Sequence, residues 1–365
     1  MIVWYAGENW DGIVGTDRCL VEAVAHHEPV VWVDPVVSLL RRRRRPVTVT
    51  SPCRNVVRIS VVGPPGVTRP GVRAVSRALR DAVVARHIRR ERHGDVDLVV
   101  ASPDGLPTLD AGRTLFYVTD DWIAGSHMMG LSRSFVQSRV TAAVRDADVV
   151  AAVTPDLVSE HGSRRSGPRS VVLLPNGYRT EHALDPATAA ETAPPGCAVL
   201  SGHLNERLDI AILDAVVDRG VQVDVVGPRT DRDPTFSAEL SRWLRRSGVR
   251  WHGSVTPPEL PRRLRAGRVG LVPYADSAFN RASFPLKTLD YLGAGLPVVS
   301  SDLPASRWFE SEHVRVTTSP QHFADQVALL ARATPTSDEV SGRVALATLN
   351  GWDARARSVL ALLGR

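Results

Sequence analysis

An α/β protein of two doubly wound domains, each built on a parallel sheet, is predicted by three features of the sequence. The chain has 365 residues, longer than a single hydrophobic core usually grows, which makes two domains of about 170 residues each the default. Short β-branched runs alternate with helix-period patterns through the first half, and the same alternation restarts at Cys197. Between the halves, residues 185–196 read DPATAAETAPPG, a turn-forming and weakly apolar stretch suited to a linker.

Taken in order, the first half offers strands at Ile2–Tyr5, Val30–Val33, Val56–Ser60, Leu98–Ala101, Thr114–Val118, Val149–Val153 and Val171–Leu174. Helix patterns fall near Arg18–Ala25, Val72–Arg92 and Ser132–Asp146. The second half offers strands at Cys197–Ser201, Val221–Val226, Val249–His252, Val269–Val272, Val298–Ser301 and Val314–Thr317, most of them followed by a helix pattern. Strands that alternate with helices make parallel sheets with crossover connections. From Gly351 the sequence GWDARARSVLALL has apolar positions at helical spacing. It reads either as a plain C-terminal packing helix or as one that returns to the first domain with Trp352 as its anchor.

Composition narrows the function classes. A hydrophobic share of 43% with 23% charged residues is that of a globular protein, not a disordered one. No apolar run reaches the roughly 18 residues that span a bilayer, and Met1–Tyr5 does not open a signal sequence, so the expected location is cytoplasmic. Cys19, Cys53 and Cys197 are few and far apart, as reduced thiols are. The net charge of +6 comes from 44 arginines and one lysine. That skew points to GC-rich coding, so arginine abundance by itself says little about partners. Lys287, the exception, suggests a site where a compact ammonium fits and a guanidinium fork does not.

In open parallel sheets, ligands bind beyond the carboxyl ends of the strands. After Val269–Val272 come Pro273 and Tyr274, a loop through Asn280, and then Ser283-Phe284-Pro285 leading into a helix pattern. With a capping serine and a proline in the first turn, the amides at Ser283 and Phe284 would form an anion site at a helix N-terminus. Lys287 lies in that first turn, with Asp290 three residues on along one face. Together they would offer a cation to a diphosphate and a carboxylate to ribose hydroxyls. The plainer reading is a surface Lys–Asp pair at helical spacing. Gly12 and Gly15, in the loop after the first strand, would let backbone approach a phosphate or an acceptor, or are simply turn glycines.

The stretch FPLKTLDYLGAGLPVVSSDLP resembles the donor-site helix of the family-four (retaining) glycosyltransferases, whose pattern is P-x-K-x-x-E-x-x-x-x-G-x-P-V-V. In the same order as in that family, LSGHLNERLDIAIL, VVGP at Val225–Pro228, RWHGSV at Arg250–Val255 and LVPY at Leu271–Tyr274 resemble its other strand ends. WYAGENWDGIVGTDRCL, FYVTDDW, VTPDL and LLPNGYR resemble segments of its first half. The resemblance implies a GT-B fold, two Rossmann-like domains facing a central cleft, with the C-terminal helix returning to the N-terminal domain. The implied boundaries are 1–180 for an acceptor-side domain, 181–196 for the linker, 197–345 for a nucleotide-sugar domain and 346–365 for the crossover helix.

It implies further that Arg207 and His203 meet the donor phosphates. Gly227, Pro228, Gly253, Ser254 and Val255 would border the base and ribose, and Tyr274 the sugar. Asp120 and Asp121 stand where the family places a His or Asp facing the reacting sugar, although an Asx turn at a strand end would look the same. His127 would lie on the acceptor side with Gly15. One departure stands out: the family's first motif glutamate is replaced by Ala282, so Asn280 or Asp276 would have to serve the sugar.

The implied reaction is metal-free, cofactor-free transfer from a nucleoside diphosphate sugar to an acceptor hydroxyl or amine, with retention. Asp231 and Asp233 read as a polar loop and not as a metal motif. Arg41–Arg45 reads as a solvated charge run or, less readily, as contact with an anionic membrane face. Nucleic acid is disfavoured by the lack of interleaved aromatics. The alternative function is a non-catalytic nucleotide-sugar-binding homologue or accessory subunit, motivated by Ala282. A nicotinamide enzyme ranks last, since no GxGxxG follows the first strand.

Overall fold

The computed structural model describes every residue except 13, 40–45, 68, 92–94, 128, 165–170, 186–195 and 257. The Arg41–Arg45 run and most of the expected linker therefore lie outside the described residues. The chain divides into two compact units, one of residues 1–177 with 352–365 and the other of residues 178–351.

In chain order the first unit contains β1 (Ile2–Tyr5), α1 (Thr16–Val24), β2 (Val30–Val33), β3 (Val37–Ser38), β4 (Val47–Cys53), β5 (Val56–Gly63) and α2 (Pro70–Glu91). There follow β6 (Asp97–Val100), β7 (Thr114–Val118), α3 (Arg133–Asp146), β8 (Val149–Ala152), α4 (Pro155–Arg164) and β9 (Val171–Leu173). The sheet order is β3-β5-β2-β1-β6-β7-β8-β9, with β4 added on β5. β1 and β2 are buried along their whole length, as the strands of a sheet covered on both faces must be. The order of strands reverses between β1 and β6, the position at which sheets of this kind bind ligands. Every pairing is parallel except β4 with β5. That hairpin is a departure from the expected all-parallel sheet. It turns at Asn55, whose φ is +60°, and its outer strand is largely exposed.

The loop after β1 is tied down by one carboxylate. Asp34, 1% exposed, accepts from the Trp10 amide at 2.9 Å, the Trp32 indole at 2.8 Å and Arg58 Nε at 2.8 Å, and from the Ser60 hydroxyl. Trp10 packs edge-on against Trp32 with centroids 5.0 Å apart. The Arg18 guanidinium lies over the Trp10 ring at 4.8 Å. A buried charge of this kind is tolerable only because every neighbour is a donor.

The second unit contains β10 (Cys197–Ser201), α5 (Ile210–Asp218), β11 (Gln222–Val226), α6 (Pro234–Leu244), β12 (Val249–Trp251), α7 (Leu260–Arg265), β13 (Val269–Val272), α8 (Ala278–Ala282) and α9 (Leu286–Gly293). It closes with β14 (Val298–Ser301), α10 (Pro304–Arg307), β15 (Val314–Thr317), α11 (Pro320–Arg332) and α12 (Ser337–Leu349). Its sheet is parallel in the order β12-β11-β10-β13-β14-β15, so the reversal falls between β10 and β13. Residues 178–185 pack with this unit: Tyr178 N donates to Asn350 O at 2.8 Å and Leu184 N to Gly293 O at 2.8 Å.

The last helix, α13 (Trp352–Leu363), belongs to the first unit. It packs on α1, and its Trp352 ring fills the space where a β-carbon on Gly177 would be 2.7 Å away. Beyond it, Arg365 pairs with Asp97 at 2.6 Å and with Glu28 at 3.0 Å. Among the described residues no helix is long and apolar enough to cross a membrane.

Asp34→Ala removes the acceptor of four donors and leaves Arg58 with the exposed Asp11 as its ion-pair partner among the described residues. The expected loss is roughly 3–5 kcal/mol, the range for stripping one partner from a buried charge pair. Denaturant unfolding followed by tryptophan fluorescence checks it, and a loss below about 1 kcal/mol contradicts the anchoring role.

Candidate functional site

At the reversal point of the second unit, three strand ends are stitched together through glycines. Gly202 follows β10 with φ +102°, Gly227 follows β11 with φ +144°, and Gly253 lies just beyond β12 with φ +70°, conformations that β-carbons disfavour. Gly202 N donates to Val226 O and Gly227 N to Gly253 O, both at 2.8 Å. A β-carbon on residue 227 would stand 2.0 Å from the Gly202 carbonyl oxygen. Pro228, Ser254 and Val255 follow these turns; Ser254 is exposed and the other two are half-buried.

α9 is set against this floor by Tyr291. Its hydroxyl accepts from the Ser201 amide at 2.7 Å and donates to Leu271 O at 3.2 Å. Its ring occupies the space beside β13 where a β-carbon on Gly270 would approach to 2.2 Å. One turn earlier on the helix, Lys287 is 8% exposed. Its Cε and Nζ both lie 3.3 Å from the position a β-carbon on Gly202 would take. Burial pulls the Lys287 ammonium below the ordinary lysine range; Arg207 adds to the fall, while Tyr274 and Asp290 oppose it.

A second cation shares the same aromatic ring. Lys287 Nζ lies 4.9 Å and the Arg207 guanidinium 4.5 Å from the Tyr274 ring centroid. Phe279 flanks the guanidinium at 5.2 Å, and Arg207 Nε donates to Asn280 Oδ1 at 2.8 Å. His203 is exposed and contacts the Thr230 hydroxyl through Nδ1 at 3.2 Å. Burial, Lys287 and Arg207 all hold its imidazole below the ordinary range. Two cations side by side make a site that attracts anions.

Asp290 lines a shallow pocket with Tyr178, His182, Leu260, Pro261, Leu264 and Ala294. Burial pushes its carboxyl up to about 6, against the downward pull of Arg179 and Lys287. It is a carboxylate at neutral pH and can accept from hydroxyls.

Several sequence expectations are corrected in detail. Ser283 does not cap α9; it ends α8, while Pro285 takes the N-cap position of α9 with ψ 104° and contributes no side-chain cap. Phe284 packs its ring on Trp308 and Phe309, each with centroids 5.7 Å away, so only its backbone is placed to meet an anion. Ala282 is buried. Asn280, expected to serve a sugar, is 1% exposed and spends its side chain on Arg207 and the chain around it. Asp276 is exposed and paired with Arg281 at 2.7 Å. Asp231 is held by Arg229 at 2.7 Å, and Asp233 caps α6.

In the first unit, Asp120 and Asp121 follow β7 and are half-buried. Asp121 Oδ1 accepts from Ala124 N at 2.9 Å and so caps the short 3-10 turn Ala124–His127, the plainer of its two readings. Asp120 Oδ1 accepts from Asp121 N at 3.2 Å. Gly12 donates to Asn9 O in a turn at 2.8 Å. Gly15 precedes α1 as its N-cap. The His127 side chain lies outside what is described. Asp17, which the sequence did not single out, is 9% exposed and accepts from Gly7 N at 2.8 Å. Burial raises its carboxyl to about 7, the Gly7 amide opposing and Glu8 reinforcing the rise. No spacing signal marks it.

The glycine floor gives a paired expectation. Gly227→Ala costs on the order of 3 kcal/mol through strain and collision, whereas Gly15→Ala is near neutral because no atom lies within 4 Å of its added carbon. Thermal denaturation of both variants checks this, and equal melting temperatures contradict it.

Comparison with known proteins follows the same division. Residues 206–333 match the family described as glycosyl transferases group 1. TuaH of Bacillus subtilis (strain 168), named for a glycosyltransferase of teichuronic acid biosynthesis, is 36% identical over 104 residues, which span 28% of this chain and 25% of that protein. Over the whole chain the likeness is one of fold. Sucrose-phosphate synthase from Thermosynechococcus elongatus superposes with a TM-score of 0.71 at 15% identity, covering 99% of this chain and 98% of that one. HepE of Anabaena, solved with UDP and glucose, gives 0.68 at 14% identity, covering 100% and 99%. With residues 206–333 carrying the group 1 match and nearly the full length superposing on such enzymes, the chain takes the fold of the GT-B glycosyltransferases that its sequence resembles.

Proposed function

We propose that this protein is a glycosyltransferase whose second unit binds a nucleoside diphosphate sugar and whose first unit receives the acceptor. The observation that carries the reading is the pairing of Arg207 and Lys287 on the Tyr274 ring, beyond the strand ends where sheets of this order bind ligands. The group 1 match over residues 206–333 supports it, as does the solved complex of HepE with UDP and glucose.

In this reading the two cations and the first amides of α9 take the diphosphate, and Asp290 accepts from the ribose hydroxyls. Departure of the nucleoside diphosphate gathers negative charge, and fixed donors aimed at that charge lower the barrier without reorganising. The protein's own cations supply this stabilisation, so the proposed transfer proceeds without a metal. Retention at the anomeric carbon rests on the family resemblance. On the first unit, Asp120 is the carboxylate assigned to the reacting sugar or acceptor, an assignment that rests on the family resemblance.

A second reading, a nucleotide-sugar binder without turnover, is favoured by one observation: Ala282 puts a buried methyl where the family's first motif glutamate stands. Incubation of purified protein with uridine, guanosine and thymidine diphosphate sugars separates the two. Release of free nucleoside diphosphate supports the transferase, and tight binding with no release under any acceptor supports the binder.

Lys287→Ala is expected to weaken nucleoside diphosphate binding roughly 10- to 100-fold, the range of a charged hydrogen bond at 1.5–3 kcal/mol, while leaving the fold intact. Unchanged affinity by calorimetry would exclude the phosphate role. Because the Asp290 carboxyl is raised to about 6, its charge is present above that pH and lost below it. Affinity for the corresponding nucleoside, which has no phosphate to titrate in this window, is therefore expected to fall as the pH drops from 7 to 5, and Asp290→Asn to flatten that dependence. A wild-type profile that is level across this window refutes the ribose contact.

A further inference from the structure

The geometry assigns Asn280 to a task other than sugar contact: we infer that it is a positioning residue that locks Arg207 in the orientation a diphosphate requires. This rests on the reading of the second unit as a nucleoside diphosphate site and specifies how that site is prepared before the ligand arrives.

Asn280 grips Arg207 at both ends. Its Oδ1 accepts from the guanidinium Nε at 2.8 Å, and its Nδ2 donates to the Arg207 carbonyl at 3.1 Å. The second Nδ2 proton goes to Ala275 O at 2.8 Å, and Ala275 N itself donates to the Arg207 carbonyl at 2.9 Å. Both amide protons are thus committed, and at 1% exposure no ligand atom can reach the side chain without displacing these bonds. The backbone of Asn280 is fixed as well, its amide donating to the Ser277 hydroxyl at 3.1 Å at the start of α8.

The guanidinium that results is held on three sides. Tyr274 and Phe279 face it at 4.5 Å and 5.2 Å, and Asn280 takes Nε. Its Nη2 is buried and has no hydrogen-bond partner among the described residues. A buried donor left without a partner is costly unless a ligand completes it. An arginine free to rotate loses much of its side-chain freedom on binding an anion; one already clamped does not, which raises affinity without adding a contact. The orphaned donor and the clamp together describe a preorganised anion grip, and they account for a buried amide in α8, the short helix before α9.

The experiment uses the full-length protein and calorimetric titration with the tightest-binding of uridine, guanosine and thymidine diphosphates, alongside the matching nucleoside. Asn280→Ala is expected to lower diphosphate affinity about tenfold and to leave nucleoside affinity unchanged. In an Arg207→Ala background the same substitution is expected to cost less than about twofold, because residues acting through one another are not additive. Asn280→Asp keeps the shape and the acceptor for Nε but gives up both Nδ2 donations and sets a negative charge against the arginine; it should lower diphosphate affinity at least as far as the alanine variant, with a smaller loss in the Arg207→Ala background, and it serves if the alanine variant fails to fold. Equal losses with and without Arg207, a matching fall in nucleoside affinity, or unchanged diphosphate affinity in both variants would each overturn the assignment. Wild-type protein that binds none of the three diphosphates removes the underlying reading and this role with it; wild-type binding with unaltered variants removes this role alone.

Discussion

The contact between Gly202 and Gly227 is the constraint on which the second unit's site depends. Two strand ends approach so closely that the carbonyl of one occupies space a side chain on the other would need, and only backbone that tolerates positive φ can do this. That approach levels the ends of β10, β11 and β12 into one floor. It also opens the room beside Gly202 that the Lys287 ammonium fills. Tyr291, wedged against Gly270, then sets the height of α9 above the sheet. Three features that look separate in the sequence, glycines at strand ends, a lysine in a helix and a tyrosine one turn later, are one packing solution.

The electrostatics follow from that packing. A lysine at 8% exposure loses most of its hydration, and the arginine beside it repels it. An aromatic face offsets part of both costs, since a ring quadrupole attracts a desolvated cation. The remaining cost is what makes the site specific: an anion that relieves the repulsion gains more here than on the open surface, where the same charges would be screened.

Much of this was legible in the sequence, and the reasons for the gaps are physical. Strand runs such as Ile2–Tyr5 and Val269–Val272 are apolar throughout and fell where the structure has them, because buried parallel strands leave an unbroken signature. The β4 strand is the harder one to read: its Val-Thr-Val-Thr run alternates, but it is short, is broken by Pro52 and buries no face. Lys287 and Asp290 are neighbours on one helix, a placement that helical geometry alone dictates. For Asn280 the sequence shows a place shortly before the donor-site helix but not its partners, the distant Arg207 and the Ala275 carbonyl. Asp34 and Asp17 carry no such signal either, since the donors that define them come from a neighbouring strand, from β2 itself or from backbone.

The return of α13 to the first unit makes the second unit an insertion within it: residues 178–351 are contiguous, whereas the first unit is assembled from both ends of the chain. During synthesis the two units therefore mature under different conditions. The second can complete its core as soon as its last helix emerges, while the first must hold an open face along α1 until Trp352 and the turns after it are made. Agents that recognise exposed apolar surface on nascent chains would find it there, on the part of the molecule that was translated first and finishes last.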